Sequence, residues 1–185
     1  MALTEFTQAN ADFSDAAHNV ARQSVYPYFF KTDKIKYENT SLYISKEHQK
    51  RDAEQAVDRL CFVEVNNPVF KQPLKFTVQE RFRRERFLSF QDITLTVWNN
   101  ASNKPSELYK IEADYFVYGY FDGVSMLDCI IVNMADLKRK ICNNEIVFTQ
   151  RSNAKQQDFI GIKFSALYDA KVISWRMEQK LELPF

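Results

Sequence analysis

The sequence predicts an α/β (α+β) domain built on a central mixed β-sheet flanked by helices, and three observations predict it. Apolar residues recur at helical spacing in the first third; after residue 58 the pattern turns to alternation of period two; and a hairpin signal leads straight into a capped helix at residues 122–141. Helices first, then a meandering sheet, then mixed elements describe one layered fold. At 185 residues the chain is long enough for a single domain, 1–185, with a helical N-terminal part (1–57) and a sheet-rich core (58–185).

The first helix is carried by Phe13, Ala16, Ala17, Val20 and Ala21, with Asp12 or Ser14 available as N-cap and Pro27 placed to end or bend it. A second helix is expected after Ser45, with Ala53, Ala56, Val57 and Leu60 on one face, beyond a loop-like stretch holding the apolar patch Leu42–Ile44. Strands follow at 59–65, at Leu74/Phe76/Val78 and at Ile93/Leu95/Val97. Another runs from Ile111 to Tyr120, where Asp122-Gly123 turns the chain into 124–132. Asn133 caps a helix to Ile141, with Asp136 at the capping-box position. Strand-like pieces at 145–149 and 158–164 come next, and 166–180 leans to helix.

Hydrophobic residues make up 45% of the chain, the composition of a sequence that folds. Charges interrupt every apolar run well short of a membrane span, and residues 1–10 lack a basic segment followed by an apolar one. Cys61, Cys129 and Cys142 form no pair at metal-ligand spacing and read as buried free thiols of a reducing compartment. A soluble intracellular protein with no membrane partner is the expectation. A net charge of +1 makes no case for nucleic acid by itself, but Arg81, Arg83, Arg84 and Arg86 cluster locally. Clustered arginines suit phosphate contacts; a solvated strand end paired with Glu80 and Glu85 is the other reading.

The chemistry concentrates between Asp58 and Asp92. Phosphodiester hydrolysis needs a divalent cation that polarises phosphate and acidifies water, held by hard oxygen ligands beside a cationic side chain. Asp58 opens one strand. In the next, Glu80 is in phase with the core face, so Gln79 and Arg81, two residues apart, project together from the opposite face. If the third strand lies alongside, Asp92, Thr94 and Thr96 present a polar face and Asp92 joins a pocket with Asp58, Gln79 and Arg81. The same residues also fit a turn carboxylate and the exposed face of an antiparallel strand. Tyr115, Phe116, Tyr118, Tyr120 and Phe121 suit base stacking or sheet packing. His18 and His48, far apart, read as surface or helix-face histidines.

Asp58, the run Val78-Gln79-Glu80-Arg81-Phe82-Arg83, Phe90-Gln91-Asp92-Ile93-Thr94 and the aromatic strand after Lys110 together resemble the PD-(D/E)XK nuclease superfamily, in particular its small phage or mobile-element members. The resemblance covers the middle third of the chain and implies a restriction-endonuclease-like fold. It implies Mg²⁺ (or Mn²⁺) held by Asp58, Gln79 and the backbone carbonyl of Glu80, with Asp58, Gln79 and Arg81 catalytic; Asp92, from its polar strand face, reads as a second metal ligand or simply a polar residue. Arg83, Arg84 and Arg86 would bind DNA, and Asp15 would be the assisting acid of the first helix. The implied activity is DNA endonuclease in the cytoplasm of a bacterial or phage-infected cell, with a homodimer left open. Two departures from the D…(D/E)xK pattern stand out. Gln79 offers a neutral oxygen where a carboxylate is usual, and Arg81 stays protonated where a lysine is usual. Both also suit a catalytically inactive nuclease-fold protein that binds nucleic acid or a protein partner.

Overall fold

The computed structural model describes residues 8–39, 56–65, 69, 72–153 and 156–177. Helix α1 (Gln8–Ser24) buries Ala17 and Ala21, and Val25 breaks it before the short α2 (Tyr26–Phe30), in whose first turn Pro27 sits. Asp12 and Ser14 lie inside α1 rather than at its start. β1 (Ile35–Asn39) was not expected from the sequence; β2 (Arg59–Val63) and β3 (Leu74–Arg84) follow. Most of the expected second helix lies outside the described residues. Its end is not helical: Ala56 has φ 45°, and Leu60 belongs to β2. The Leu42–Ile44 patch also lies outside the described residues.

A 3₁₀ turn (Glu85–Phe90) leads to β4 (Asp92–Asn99), β5 (Lys104–Pro105) and a one-turn helix, α3 (Glu107–Lys110). β6 (Tyr115–Phe121) and β7 (Met126–Asn133) form the expected hairpin. Gly123 takes φ 113° in its turn, and Asp122 Oδ1 accepts the N–H groups of Val124 and Ser125. Asn133 caps α4 (Met134–Cys142) by accepting the Asp136 N–H at 2.9 Å. β8 (Thr149–Asn153) and β9 (Gln157–Lys163) precede α5 (Phe164–Asp169) and β10 (Ile173–Arg176). The expected C-terminal helix is thus a short helix followed by a strand.

Six strands form one sheet in the order β1-β2-β3-β6-β7-β10, antiparallel except for the parallel pair β3/β6. Parallel neighbours need a long crossover, and here that crossover carries β4 and β5 into a second, four-stranded sheet, β5-β4-β9-β8. The result is a mixed α/β architecture, compatible with a restriction-endonuclease-like fold. One face of the larger sheet packs Cys61, Val78, Val117, Phe121 and Ile131 against α1 and α2. The other packs Phe116, Tyr118, Tyr120 and Ile130 with residues of β4, β9, α4 and α5. Both faces are therefore covered, and the aromatic residues of β6 from Phe116 to Phe121 are packing residues rather than an exposed stacking surface. No described helix is long and apolar enough to cross a membrane.

Candidate functional site

β3 distributes its polar side chains to two different interiors. In the parallel register Gln79 pairs with Phe116, Arg81 with Tyr118 and Arg83 with Tyr120, so these three face the second sheet; Glu80 pairs with Val117 and faces α1. The phase expected from Leu74/Phe76/Val78 holds, but the face opposite Glu80 is no open strand surface.

Asp58, the residue before β2, is brought to Gln79. Its N–H donates to the Val78 carbonyl at 2.9 Å, and its Oδ2 accepts the Glu80 N–H at 2.8 Å, so the carboxylate lies against the backbone on both sides of Gln79. A strand residue directs its N–H and C=O to the same edge. The Glu80 carbonyl therefore faces the side from which Asp58 approaches. Gln79 Oε1 is buried and has no hydrogen-bond partner.

Arg81 shares this face but is engaged: Nη2 lies 2.6 Å from Glu107 Oε2, and Nη1 donates to the Thr94 carbonyl at 3.1 Å. Asp92 does not join Asp58 and Gln79. β4 lies in the other sheet, and the Asp92 carboxylate meets Arg83 Nη1 at 2.9 Å, while its backbone N–H and carbonyl bond the Tyr120 hydroxyl. Arg83 is four residues beyond Gln79, or roughly 13 Å at the rise of a strand. Asp92 is thus a buried partner of Arg83, and the expected four-residue pocket separates into two polar contacts along one face. Asp15 is exposed on α1, which packs on the Glu80 face; it is not brought to this site.

The Glu80 side chain is committed elsewhere, so it offers this site only its backbone. It is fully buried, accepts from Tyr26 Oη and Arg59 Nε, and lies 2.6 Å from His18 Nδ1. Burial alone pushes its carboxyl up, but His18, the Arg59 charge and the Tyr26 hydroxyl outweigh it and hold the group below its ordinary value. Burial, then the Glu80 charge, drives the Tyr26 phenol well above the usual range. His18 is therefore a helix-face histidine, partly exposed, whose Nδ1 reaches a buried carboxylate.

Of the arginines, Arg83 is tied to Asp92 and stacks on Phe87, its Cζ 4.3 Å from the ring centre. Arg84 donates to Asn10 Oδ1 at 3.0 Å and lies over Phe13. Arg86 is exposed and lies over Phe87. Arg84 and Arg86 line a cleft of about 590 Å³ with Asn10, Ser14 and His18. Sequence reasoning missed Glu107 altogether. An acid at the start of a one-turn helix carries no periodicity, and its contact with Arg81 spans 26 residues.

Among the described residues, no group of three His, Cys, Asp or Glu side chains is placed to hold a metal ion. The oxygen set at Asp58 is of another kind: one carboxylate, one buried amide oxygen lacking a donor and one backbone carbonyl. These are hard ligands of the type Mg²⁺ and Mn²⁺ take, and the unsatisfied Gln79 oxygen is the feature that fits a cation. No family model matches the chain, and a search of the curated proteins returns no match.

Proposed function

We propose that this chain is a Mg²⁺-dependent DNA endonuclease that hydrolyses phosphodiester bonds. The observation that carries the reading is the buried Gln79 Oε1, left without a donor on the residue whose flanking backbone Asp58 bonds. A buried acceptor without a partner costs about 1–3 kcal/mol, and a cation held there would remove that cost. Asp58, Gln79 Oε1 and the Glu80 carbonyl would hold the ion. When bound, it supplies charge to polarise the phosphate and to acidify an attacking water.

The rest follows from the chain's own side chains. Asp58 is fixed by the Glu80 N–H, which holds its carboxylate against β3. Arg81 is an arginine and not a lysine, so its contribution is the positive charge of a guanidinium beside the scissile phosphate. Arg84 and Arg86 would meet backbone phosphates of the DNA at the cleft they line.

A second reading is favoured by the bond from Arg81 to Glu107, which neutralises the cation that catalysis would use. With a neutral Gln79 as well, the chain would be an inactive nuclease-fold protein that binds nucleic acid or a protein partner. Supercoiled plasmid with Mg²⁺ or Mn²⁺ decides between them. Nicking by the wild type that is abolished in Asp58→Ala supports the first reading. Metal-independent, salt-sensitive DNA binding without nicking supports the second. Nicking of equal rate by Asp58→Ala removes the site.

A further inference from the structure

Glu107 presents the same anomaly as Gln79 on the same face. It is 8% exposed, and its Oε1 is buried with no hydrogen-bond partner, while Oε2 takes Arg81 and, at 3.3 Å, the Thr96 N–H. The two sheets face each other in a regular progression here. Asp92 meets Arg83 and the Thr94 carbonyl meets Arg81, so a step of two on β4 answers a step of two on β3. Thr96 then falls at the level of Gln79, and Thr96 is where Glu107 is anchored. The chain beyond Glu107 runs on to Asp114, whose Oδ2 accepts the Thr77 N–H at 2.7 Å, so 107–114 passes beside β3 from Arg81 down to Thr77. Two acceptor oxygens without donors thus come to one level on the same face of β3, at whose β2 edge Asp58 lies.

As oriented, two acceptor oxygens cannot satisfy each other, and a cation between them would satisfy both. We infer that Glu107 is a further ligand of the divalent-cation site, its Oε1 joining Gln79 Oε1 and Asp58. This rests on the cation-dependent reading above. It also accounts for the neutral Gln79: the second carboxylate comes from α3 instead of from β3, so the site keeps two negative charges for a hard cation. Because the other oxygen of Glu107 holds Arg81, the same carboxylate fixes the guanidinium one carboxylate's width from the ion.

Mn²⁺ binding to the full chain, followed by electron paramagnetic resonance and calorimetry, tests this apart from cleavage. Wild type should bind, and Asp58→Ala should abolish binding. Glu107→Gln should weaken it by at least about tenfold. Gln79→Glu should tighten it, and the Gln79→Glu, Glu107→Gln double variant should return towards wild type. Binding that needs Asp58 but is unchanged in Glu107→Gln overturns the inference and leaves the cation reading standing, with Glu107 only a counter-ion of Arg81. Absence of Mn²⁺ binding by wild type overturns both. Binding that depends on Asp58 and Glu107 without DNA cleavage supports the inference and overturns the nuclease. If Glu107→Gln fails to fold, Glu107→Asp decides, since it keeps the charge but withdraws the oxygen: weaker binding supports the inference and unchanged binding overturns it.

Discussion

His18 Nδ1 lies 2.6 Å from Glu80 Oε2, joining α1 to the centre of the larger sheet through a carboxylate that solvent does not reach. Arg59 from β2 and Tyr26 from α2 close on the same carboxylate, so four elements converge on one charge. Removing one member of a buried ion pair leaves the other uncompensated, at a cost of about 3–5 kcal/mol. Glu80→Ala should therefore lower the unfolding midpoint by on the order of 10 °C for a chain of this size. Replacing Arg59 and Glu80 together by apolar residues should cost less than the two single changes summed. Thermal denaturation of the four proteins in that cycle checks both.

The same carboxylate sets an acid limit on stability. Its folded-state value lies below the ordinary 4.5, so between the two values the unfolded chain binds the extra proton. The Glu80 contribution is then full above about pH 4.5 and is lost as pH falls through the folded value. Urea midpoints taken downward from pH 7 should show wild type and Glu80→Gln separated by a constant amount until that point, then converging. A separation that persists unchanged to pH 3 would mean the carboxylate is not held charged.

How far this was legible in the sequence depends on range. α1, the Asp122-Gly123 hairpin and the Asn133 cap each rest on contacts within a few residues, and periodicity and turn chemistry reach that far. The phase of β3 was legible for the same reason. The partner across each face was not. Alternation cannot say that β4 leaves for a second sheet, so Asp92 was read beside Gln79 when it lies against Arg83. Nor could it show that the face opposite Glu80 is interior, since a strand covered on both sides still alternates when ion pairs occupy one of them. Asp58 does lie against the backbone on either side of Gln79, because the pattern that selected them specifies adjacent strands. Glu107 carried no signal; its place is set by the fold of the 30 residues between β3 and β6.

Thiol reactivity should separate the cysteines sharply. Cys142 is exposed, whereas Cys61 and Cys129 are buried. Burial, with the Glu80 charge adding to it, pushes the Cys61 thiol up to about 12, and burial drives Cys129 well above its ordinary range. The thiolate is the reactive form, so both core thiols are silent at neutral pH. A disulfide reagent at pH 8 should titrate one thiol quickly in the folded protein and all three after denaturation. Cys142→Ser should remove the fast phase. A fast phase surviving that change would place Cys61 or Cys129 within reach of solvent.

DNA binding should divide the arginines by what each already holds. Arg86 lies exposed over Phe87, and Arg84 bonds, among the described residues, the neutral side chain of Asn10, so each retains its full charge for a phosphate. Arg83 is spent on Asp92, which is itself buried. Arg84→Ala and Arg86→Ala should each weaken duplex binding equally across sequences and lower the slope of log affinity against log salt by about 0.9. Combined, they should lower it by about 1.8. Arg83→Ala should leave that slope near wild type while lowering stability, because it strands the Asp92 carboxylate between the sheets. Salt-dependent fluorescence anisotropy with the three variants measures the slopes. A slope that falls for Arg83→Ala and not for Arg84→Ala or Arg86→Ala would assign the phosphate contact to Arg83 and overturn this division.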